Sequence, residues 1–203
     1  MRTLLISLSL VALFAPSCMT VDQGSGNTQA NLGPWVAASP SLQRKIESQA
    51  ERLPWTHGID RVELIQWFAG VGEPAYGTLL GLVLDPRTDV AGAALAALGA
   101  TRDSRLVEPL RLLPWPPASN LDLALERART LLRLGDWSMV PVLMEGLADK
   151  RLMTRALCSQ ALFEATHERF GFDPNGSPVE RASAVDRWQG WWFARSGDSL
   201  LDS

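Results

Sequence analysis

Apolar residues recur along the middle of the chain at the spacing of one face of an α-helix. Two successive stripes show this spacing: Val90, Ala93, Ala94, Ala97 and Leu98, and then Leu106, Val107, Leu110 and Leu113. No stretch of the chain shows the sustained alternation that is typical of a half-buried strand. The pattern therefore predicts an all-α domain.

A turn-like segment repeats about every thirty residues and divides this helical region into units. Its copies are FAGVGE at 68–73, LGATRD at 98–103, LLRLGD at 131–136 and a degenerate FEATHE at 163–168. An Ala/Leu-rich stretch precedes each copy, and a second apolar stretch follows the first three. We expect each turn to end one helix and begin the next, which gives three to four helical hairpins.

Each second apolar stretch contains a proline, and its position bears on where the helix begins. Pro74 falls in a first turn, where a helix loses no hydrogen bond. Pro109 and Pro141 lie deeper, so they predict either a late helix start or a bend.

Polar segments separate the units. Residues 85–89 (DPRTD) and 149–151 (DKR) form two short breaks, and residues 114–120 (PWPPASN) form a longer, stiffer one. The longer break ends in Asn120, which is a predicted N-cap for the next helix.

A predicted helix at each end closes the array. At the N-terminal end, residues 39–55 form an amphipathic segment that turns Leu42, Ile46 and Leu53 toward the repeats. Such a cap is needed because a terminal unit otherwise exposes its apolar face.

At the C-terminal end, Ser177 and Glu180 have the spacing of a capping box, which predicts a helix from about Pro178 to Phe193. Trp188 and Trp192 share one face of this helix. We interpret them as a seal on the last unit, with Trp191 at its boundary, in preference to a stacking platform for sugar or a hot spot for a partner.

The repeated units resemble HEAT repeats in their short bacterial form. Residues 131–147 are the best copy and 98–110 the next, although Arg102 stands where the family has a second glycine. The positions of the best copy that match are Gly135, Asp136, Val140, Pro141 and Leu143. The loop at 170–174 (FGFDP) and its Trp-rich helix resemble a common terminator of such arrays. The resemblance implies an α-solenoid over residues 35–196, in a family of scaffolds, transport adaptors and a few lyases.

The first 17 residues have the pattern of an export signal. Arg2 precedes an uncharged apolar run, Leu4–Ala15, of 12 residues, whereas a membrane-spanning helix needs roughly 20. Cys18 follows small residues, as in the lipobox of bacterial lipoproteins, so we expect a lipid on Cys18. Pro16 and Ala15 depart from that motif, and ordinary cleavage with secretion is the alternative.

Residues 18–34 are rich in Gly, Ser, Asn and Gln, a composition that supports no packed core and is typical of a flexible tether. Met19 stands where inner-membrane lipoproteins carry an aspartate, so the resemblance implies the outer membrane, with a soluble periplasmic or secreted protein as the alternative. Residues 197–203 are expected to be a disordered tail.

Composition narrows the choice of partners. The 19 basic and 22 acidic residues give a net charge of −3 and are spread along the chain, which argues against nucleic acid. If Cys18 carries lipid, Cys158 has no partner in the chain, and its apolar surroundings predict a small packed residue.

Metal and cofactor chemistry find little support in the sequence. The two histidines, His57 and His167, have no second ligand at the spacing of a zinc site, and we interpret His57 as a turn residue. Residues 173–176 (DPNG) lack the rest of a calcium loop and predict a tight turn. We find no catalytic motif, no metal site and no cofactor site.

The leading hypothesis is a non-catalytic adaptor of the cell envelope that binds an unidentified protein. A solenoid presents a concave surface formed by its second helices, where Arg105, Glu108, Arg111 and Glu145 are the polar candidates for partner contact. Trp115, in the Pro-rich break, is the candidate for an exposed aromatic anchor. The alternatives are a HEAT-like lyase and a purely structural envelope component.

Overall fold

The computed structural model describes residues 35–198, and nine α-helices make up most of this part of the chain. They are α1 (Pro40–Arg52), α2 (Gly58–Val71), α3 (Tyr76–Leu82), α4 (Thr88–Thr101), α5 (Val107–Leu112), α6 (Leu121–Arg133), α7 (Val140–Gly146), α8 (Leu152–Thr166) and α9 (Pro178–Asp198). No strand occurs between residues 35 and 198, so the predicted all-α class is confirmed. The predicted signal peptide, Cys18, the tether up to residue 34 and residues 199–203 lie outside the described residues.

Helices α2, α4, α6 and α8 end in turns that share a positive φ but differ in ψ, which is −136° at Gly72, 23° at Arg102 and 16° at His167. A residue with positive φ stands at or just after each helix end: Gly72 (68°), Arg102 (55°), Gly135 (103°) and His167 (60°). The intervals between residues 72, 102, 135 and 167 are 30, 33 and 32 residues. The amide of each of these residues bonds back to a carbonyl near the end of its helix, at Phe68, Gly99, Leu132 and Phe163 respectively, and the helix stops there. All four turns predicted from the sequence therefore end a helix.

A three-residue 3-10 turn comes shortly after the ends of α2, α4 and α6, and it delays the start of the next helix. These turns are Glu73–Ala75, Ser104–Leu106 and Trp137–Met139, and they lead directly into α3, α5 and α7. Because α5 begins at Val107 and α7 at Val140, Pro109 and Pro141 both fall in a first turn. Of the two predicted outcomes for these prolines, the late helix start is the one that occurs.

The first helix of each unit lies beside the first helix of the next. Helix α2 contacts α4, α4 contacts α6, and α6 contacts α8, while α7 packs on both α6 and α8. Gly99 lets α4 pack directly against the backbone of α6 at Thr130. A methyl group added at Gly99 would lie 3.4 Å from Thr130, whose hydroxyl donates a hydrogen bond of 3.0 Å to the carbonyl of Leu95.

Helix α6 is the wall between two apolar clusters. Leu131 of α6 and Leu134, which caps its end, belong to a cluster that extends through α4, α3 and α2 to Ile46 of α1. On another face of α6, Leu125 and Leu132 join a second cluster that extends through α7 and α8 to α9. The stability of both halves of the domain therefore depends on α6.

The helix predicted at the N-terminal end is present, and its apolar residues pack as expected. Helix α1, followed by a 3-10 turn at Leu53–Trp55, covers the predicted segment and packs against α3. Ile46 and Leu53 are fully buried, and Leu42 is half-buried against the same cluster.

The helix predicted at the C-terminal end begins and packs as expected, but its predicted end is wrong. The amide of Ser177 donates to Glu180 Oε2 (2.8 Å), and the amide of Glu180 donates to Ser177 Oγ (3.3 Å), which is the predicted capping box. Trp188 is 1% exposed in the second cluster.

Helix α9 continues beyond Phe193 to Asp198, so it includes the first two residues of the predicted tail. The guanidinium of Arg195 stacks on Trp137, 4.6 Å from the ring centroid, and this contact ties the last turns of α9 to the domain. The sequence pattern gives no sign of that stacking.

Candidate functional site

Trp115 lies in an apolar pocket of about 280 Å³ on the surface of the domain. The pocket is formed where the break between α3 and α4 meets the Pro-rich loop that follows α5. We name it the Trp115 pocket. It is lined by Val83, Leu84, Asp85, Pro86, Thr88, Leu95, Pro114, Trp115, Pro116, Pro117, Asn120, Leu123 and Arg127. Trp115 is 46% exposed, so its indole is available to a partner at the position that the sequence singles out.

A buried arginine holds this loop in place. Arg127 of α6 is 1% exposed and donates hydrogen bonds to the carbonyls of Leu110, Leu113 and Pro114, at the end of α5. Its guanidinium also stacks on Trp115, 4.8 Å from the ring centroid. Burial lowers the pKa of Arg127, and the carbonyl oxygens and the aromatic ring stabilise its positive charge. The exposed indole is therefore attached to a rigid support.

Sequence reasoning did not identify Arg127. It stands in the stretch LERARTLLR among residues that predict only a helix, and no local pattern distinguishes it from Arg129 and Arg133 beside it. Its role follows from the loop that folds over it.

Arg105 is engaged within the domain. Its guanidinium pairs with Asp103 (2.7 Å) and with Glu73 of the preceding unit (3.1 Å), and it lies 5.7 Å from the ring centroid of Trp35. Val36 donates its amide to the same Glu73, so this cluster fastens the N-terminal segment to the repeats. Hydrogen bonds from Arg105 lower the pKa of both Glu73 and Asp103.

Arg111 braces one unit against the next. Its guanidinium donates two hydrogen bonds to Asp136, at 2.9 and 2.7 Å, and one to Glu108 (2.9 Å). Asp136 is buried and also accepts from the amide and hydroxyl of Ser138, so it fixes the turn after α6. Burial by itself raises the pKa of Asp136, but the hydrogen bonds from Arg111 and Ser138 more than offset it and the pKa is lowered.

The two acidic candidates are freer than the two arginines. Glu108 is exposed, and its single ion pair is with Arg111. Glu145 is exposed on α7, and its carboxylate has no hydrogen-bond partner among residues 35–198. It lines a small surface depression with Leu121 and Val142. The structure does not bring Glu145 and Trp115 into one pocket.

Two further depressions lie along the row of first helices, on either side of α6. The α8 pocket, of about 290 Å³, is lined by Asp122, Leu125, Glu126, Arg129, Arg151, Met153, Thr154, Leu157 and Cys158. The α4 pocket, of about 400 Å³, is lined by Arg61, Ile65, Thr88, Asp89, Gly92, Ala93, Ala96, Asp122, Leu123, Glu126, Arg129 and Arg133. Asp122, Glu126 and Arg129 belong to both, so the two pockets share α6 as a common wall. None of their charged residues was a candidate in the sequence.

Cys158 of α8 is buried, as predicted, and lies against Gly146 of α7. A Cβ atom added at Gly146 would lie 2.4 Å from its sulfur. Burial raises the pKa of the Cys158 thiol to about 11, so the reactive thiolate is scarce near neutral pH. Its contacts are those of a packing residue.

His57 and the DPNG segment at 173–176 lie at turns between elements. His57 precedes the first residue of α2, and the amide of Gly176 donates to the carbonyl of Asp173 in the predicted tight turn. Between residues 35 and 198, no three His, Cys, Asp or Glu side chains come together as metal ligands would. No helix in that part of the chain is both long enough and apolar enough to cross a membrane.

Comparison with family models, with curated proteins and with solved structures gave no match. The fold and the surfaces described above therefore carry the functional argument by themselves.

Proposed function

We propose that this chain is an exported, lipid-anchored α-solenoid of HEAT-like hairpins that binds another protein of the cell envelope and acts as a non-catalytic adaptor. The solenoid part of the proposal is supported by the recurrent left-handed turns at 72, 102, 135 and 167, and by the side-by-side row of α2, α4, α6 and α8. Units that bury their apolar faces against their neighbours leave their outer surfaces free for a partner.

The observation that carries the binding role is the Trp115 pocket. Protein-binding hot spots are enriched in tryptophan, and a side chain that is already rigid loses little entropy on binding. Trp115 meets both conditions, because it is nearly half exposed and is held by the buried Arg127. Leu84 and Pro86 extend the apolar surface beside it, and an apolar patch around a fixed aromatic is typical of a protein contact.

The test is affinity capture from envelope membranes with the full chain as bait, followed by substitution at the anchor. We expect Trp115→Ala to weaken capture of the partner by at least about tenfold, which is the effect of removing a hot-spot residue. Trp55→Ala is the matched control, because Trp55 is 81% exposed and lies far along the chain in the N-terminal cap. Equal capture by wild type and Trp115→Ala would show that this pocket is not the contact.

The polar candidates require different substitutions. Alanine at Arg105 or Arg111 would remove braces between units and confound binding with stability. Charge reversal of the exposed carboxylates, as in Glu108→Lys and Glu145→Lys, changes the second-helix surface while keeping the packing intact. Loss of capture by these variants, with unchanged circular dichroism, would place the partner on that surface.

Membrane attachment is tested separately with Cys18→Ala. We expect the wild-type chain to remain with membranes and the variant to be released in soluble form, because the anchor is a lipid on Cys18. If both forms fractionate alike as soluble proteins, the secreted alternative is favoured. Turnover of a small molecule by the purified chain would instead favour the lyase alternative.

A further inference from the structure

Helix α2 stands at the open end of the row formed by α2, α4, α6 and α8. Helices α2 and α4 both have 14 residues, yet α4 buries eight of them and α2 buries two, Leu64 and Phe68. The difference arises because α4 lies between α2 and α6, whereas α2 has a helix of the row on one side alone. The preceding helix, α1, packs against α3 and the 3-10 turn after α2, so the row ends at α2.

Five exposed residues mark the uncovered side of α2, at the i, i+3, i+4, i+7 and i+11 spacing of one helix face. They are Ile59, Val62, Glu63, Gln66 and Gly70, and we name them the α2 face. Arg61 and Ile65, which line the α4 pocket, lie on a different side of the helix. Ile59 is 69% exposed and Val62 45%, so the first two turns of the face present apolar surface to solvent.

The unpaired charges at this face are negative. Glu63 lies within it and Asp60 beside it, and neither carboxylate has a hydrogen bond or an ion pair among residues 35–198. Arg61, the one basic residue of α2, forms its ion pair with α4 instead. Lys45 of α1 lies over the ring of Trp67, 5.5 Å from the ring centroid. The α2 face therefore combines apolar surface with two carboxylates that lack a cation.

A helix with apolar and basic residues fits this face. Because α2, α4, α6 and α8 already pack side by side, a helix laid on the α2 face would continue the row. Its apolar side chains would cover Ile59 and Val62, and its Lys or Arg side chains would supply the cations that Glu63 and Asp60 lack. A bilayer surface fits less well, because both carboxylates would face anionic lipid phosphates.

We propose that the α2 face binds an amphipathic helix of a protein partner, with large apolar side chains on Ile59 and Val62 and a Lys or Arg against Glu63 and Asp60. This contact goes beyond the proposed function, since none of the residues that line the Trp115 pocket belongs to α2. It rests on that function only in taking a protein as its ligand.

The test uses a phage-displayed library of Ala-based peptides of about 18 residues, long enough to be helical, randomised along one face and selected on the full chain. We expect enrichment of Leu, Ile, Met or Phe at i, i+3 or i+4 and i+7, with Lys or Arg beside them. A synthetic consensus peptide should bind at least about tenfold more weakly to Ile59→Glu than to wild type. Val179→Glu is the matched control that should bind like wild type, because Val179, like Ile59, is an exposed β-branched residue at the second position of a helix.

Charge reversal at Glu63 separates recognition from loss of folding. The consensus peptide should bind at least about tenfold more weakly to Glu63→Lys, because like charges then face each other. A second peptide, with every Lys and Arg replaced by Glu, should bind more tightly to Glu63→Lys than to wild type. A folding defect would weaken both peptides alike.

The proposal is overturned if no basic amphipathic motif is enriched, if Ile59→Glu binds the peptide as Val179→Glu does, or if Glu63→Lys leaves the preference between the two peptides unchanged. Self-association of the chain that Ile59→Glu abolishes would overturn it in favour of a second copy. Binding of the Cys18→Ala form to phosphatidylcholine vesicles, if Ile59→Glu abolishes it, would overturn it in favour of a bilayer.

The α2 face and the Trp115 pocket are tested independently. Trp115→Ala should leave binding of the consensus peptide unchanged, and Ile59→Glu should leave capture of the partner through Trp115 unchanged. Failure of the α2 contact and failure of the Trp115 contact are therefore separate results.

Discussion

Single residues decide how closely the helices of this domain approach. Gly146, at the end of α7, leaves room for the sulfur of Cys158 on α8, and the two residues act as a matched pair. We expect Gly146→Ala to lower the free energy of unfolding by about 1–3 kcal/mol, because the new methyl overlaps that sulfur in a packed core. Urea denaturation followed by circular dichroism measures the change.

The control is Gly81→Ala, near the end of α3, where an added methyl meets no atom within 4 Å. It should be neutral or stabilising by up to about 1 kcal/mol, since alanine is the better helix former. Adding Cys158→Ala to Gly146→Ala should recover part of the loss, because it removes the overlapping sulfur. A loss that is the same with and without the sulfur would contradict this account.

At the scale of elements, ion pairs join the turn of one unit to the helix of the next. Asp136 lies at the turn after α6, holds Arg111 of α5 and has a lowered pKa. A group with a lowered pKa in the folded state stabilises the fold above its unfolded pKa, and that stability is lost as the pH falls through the folded value. The contribution of Asp136 should therefore be present at neutral pH and disappear below about pH 4.

We expect Asp136→Asn to be less stable than wild type by about 2 kcal/mol at pH 7, with the difference narrowing on acidification toward pH 3. Thermal unfolding at a series of pH values measures how the stability of wild type and of Asp136→Asn depends on pH. Glu108→Gln is the control, because its pair with the same Arg111 is exposed and should contribute little. A constant difference between wild type and Asp136→Asn across this range would show that the carboxylate charge is not the cause.

For the molecule as a whole, α6 joins the two apolar clusters, while α1 and α9 each cover one end. Because α6 contributes to both clusters and α4 packs on α2, α3 and α6, we expect these central helices to open last. Hydrogen exchange followed by mass spectrometry should find the slowest amides in α4 and α6 and faster exchange in α1 and in the last turns of α9. Greatest protection in α9 would mean that the C-terminal helix, and not α6, is the most stable part of the domain.

Much of this fold could be predicted because its signals are local. The turns that end helices, the capping box at Ser177 and the N-cap at Asn120 each depend on a few adjacent residues, and the structure confirms them. The extent of α9 could not be predicted, since the contact that holds its end is with Trp137, more than fifty residues earlier.

At the candidate surfaces, the sequence likewise identified some residues but not the contacts that they make. Trp115 could be singled out because it stands in a stiff Pro-rich break between predicted helices, and it is 46% exposed. Arg105 and Arg111 were chosen as polar positions on predicted helices, but their partners, Glu73 and Asp136, lie in other units. Helical spacing tells which residues share a face and says nothing of what lies opposite that face.

The sequence by itself determined the helical class, the unit length and the positions of the turns, because apolar spacing and chain-reversing residues act over a few positions. Only the tertiary structure decided which arginines are buried and how well each is satisfied. Arg127 and Arg129 stand two residues apart on α6, and packing gives one three carbonyl acceptors and the other a single carboxylate. Their environments come from segments distant in the chain, and no local pattern encodes that difference.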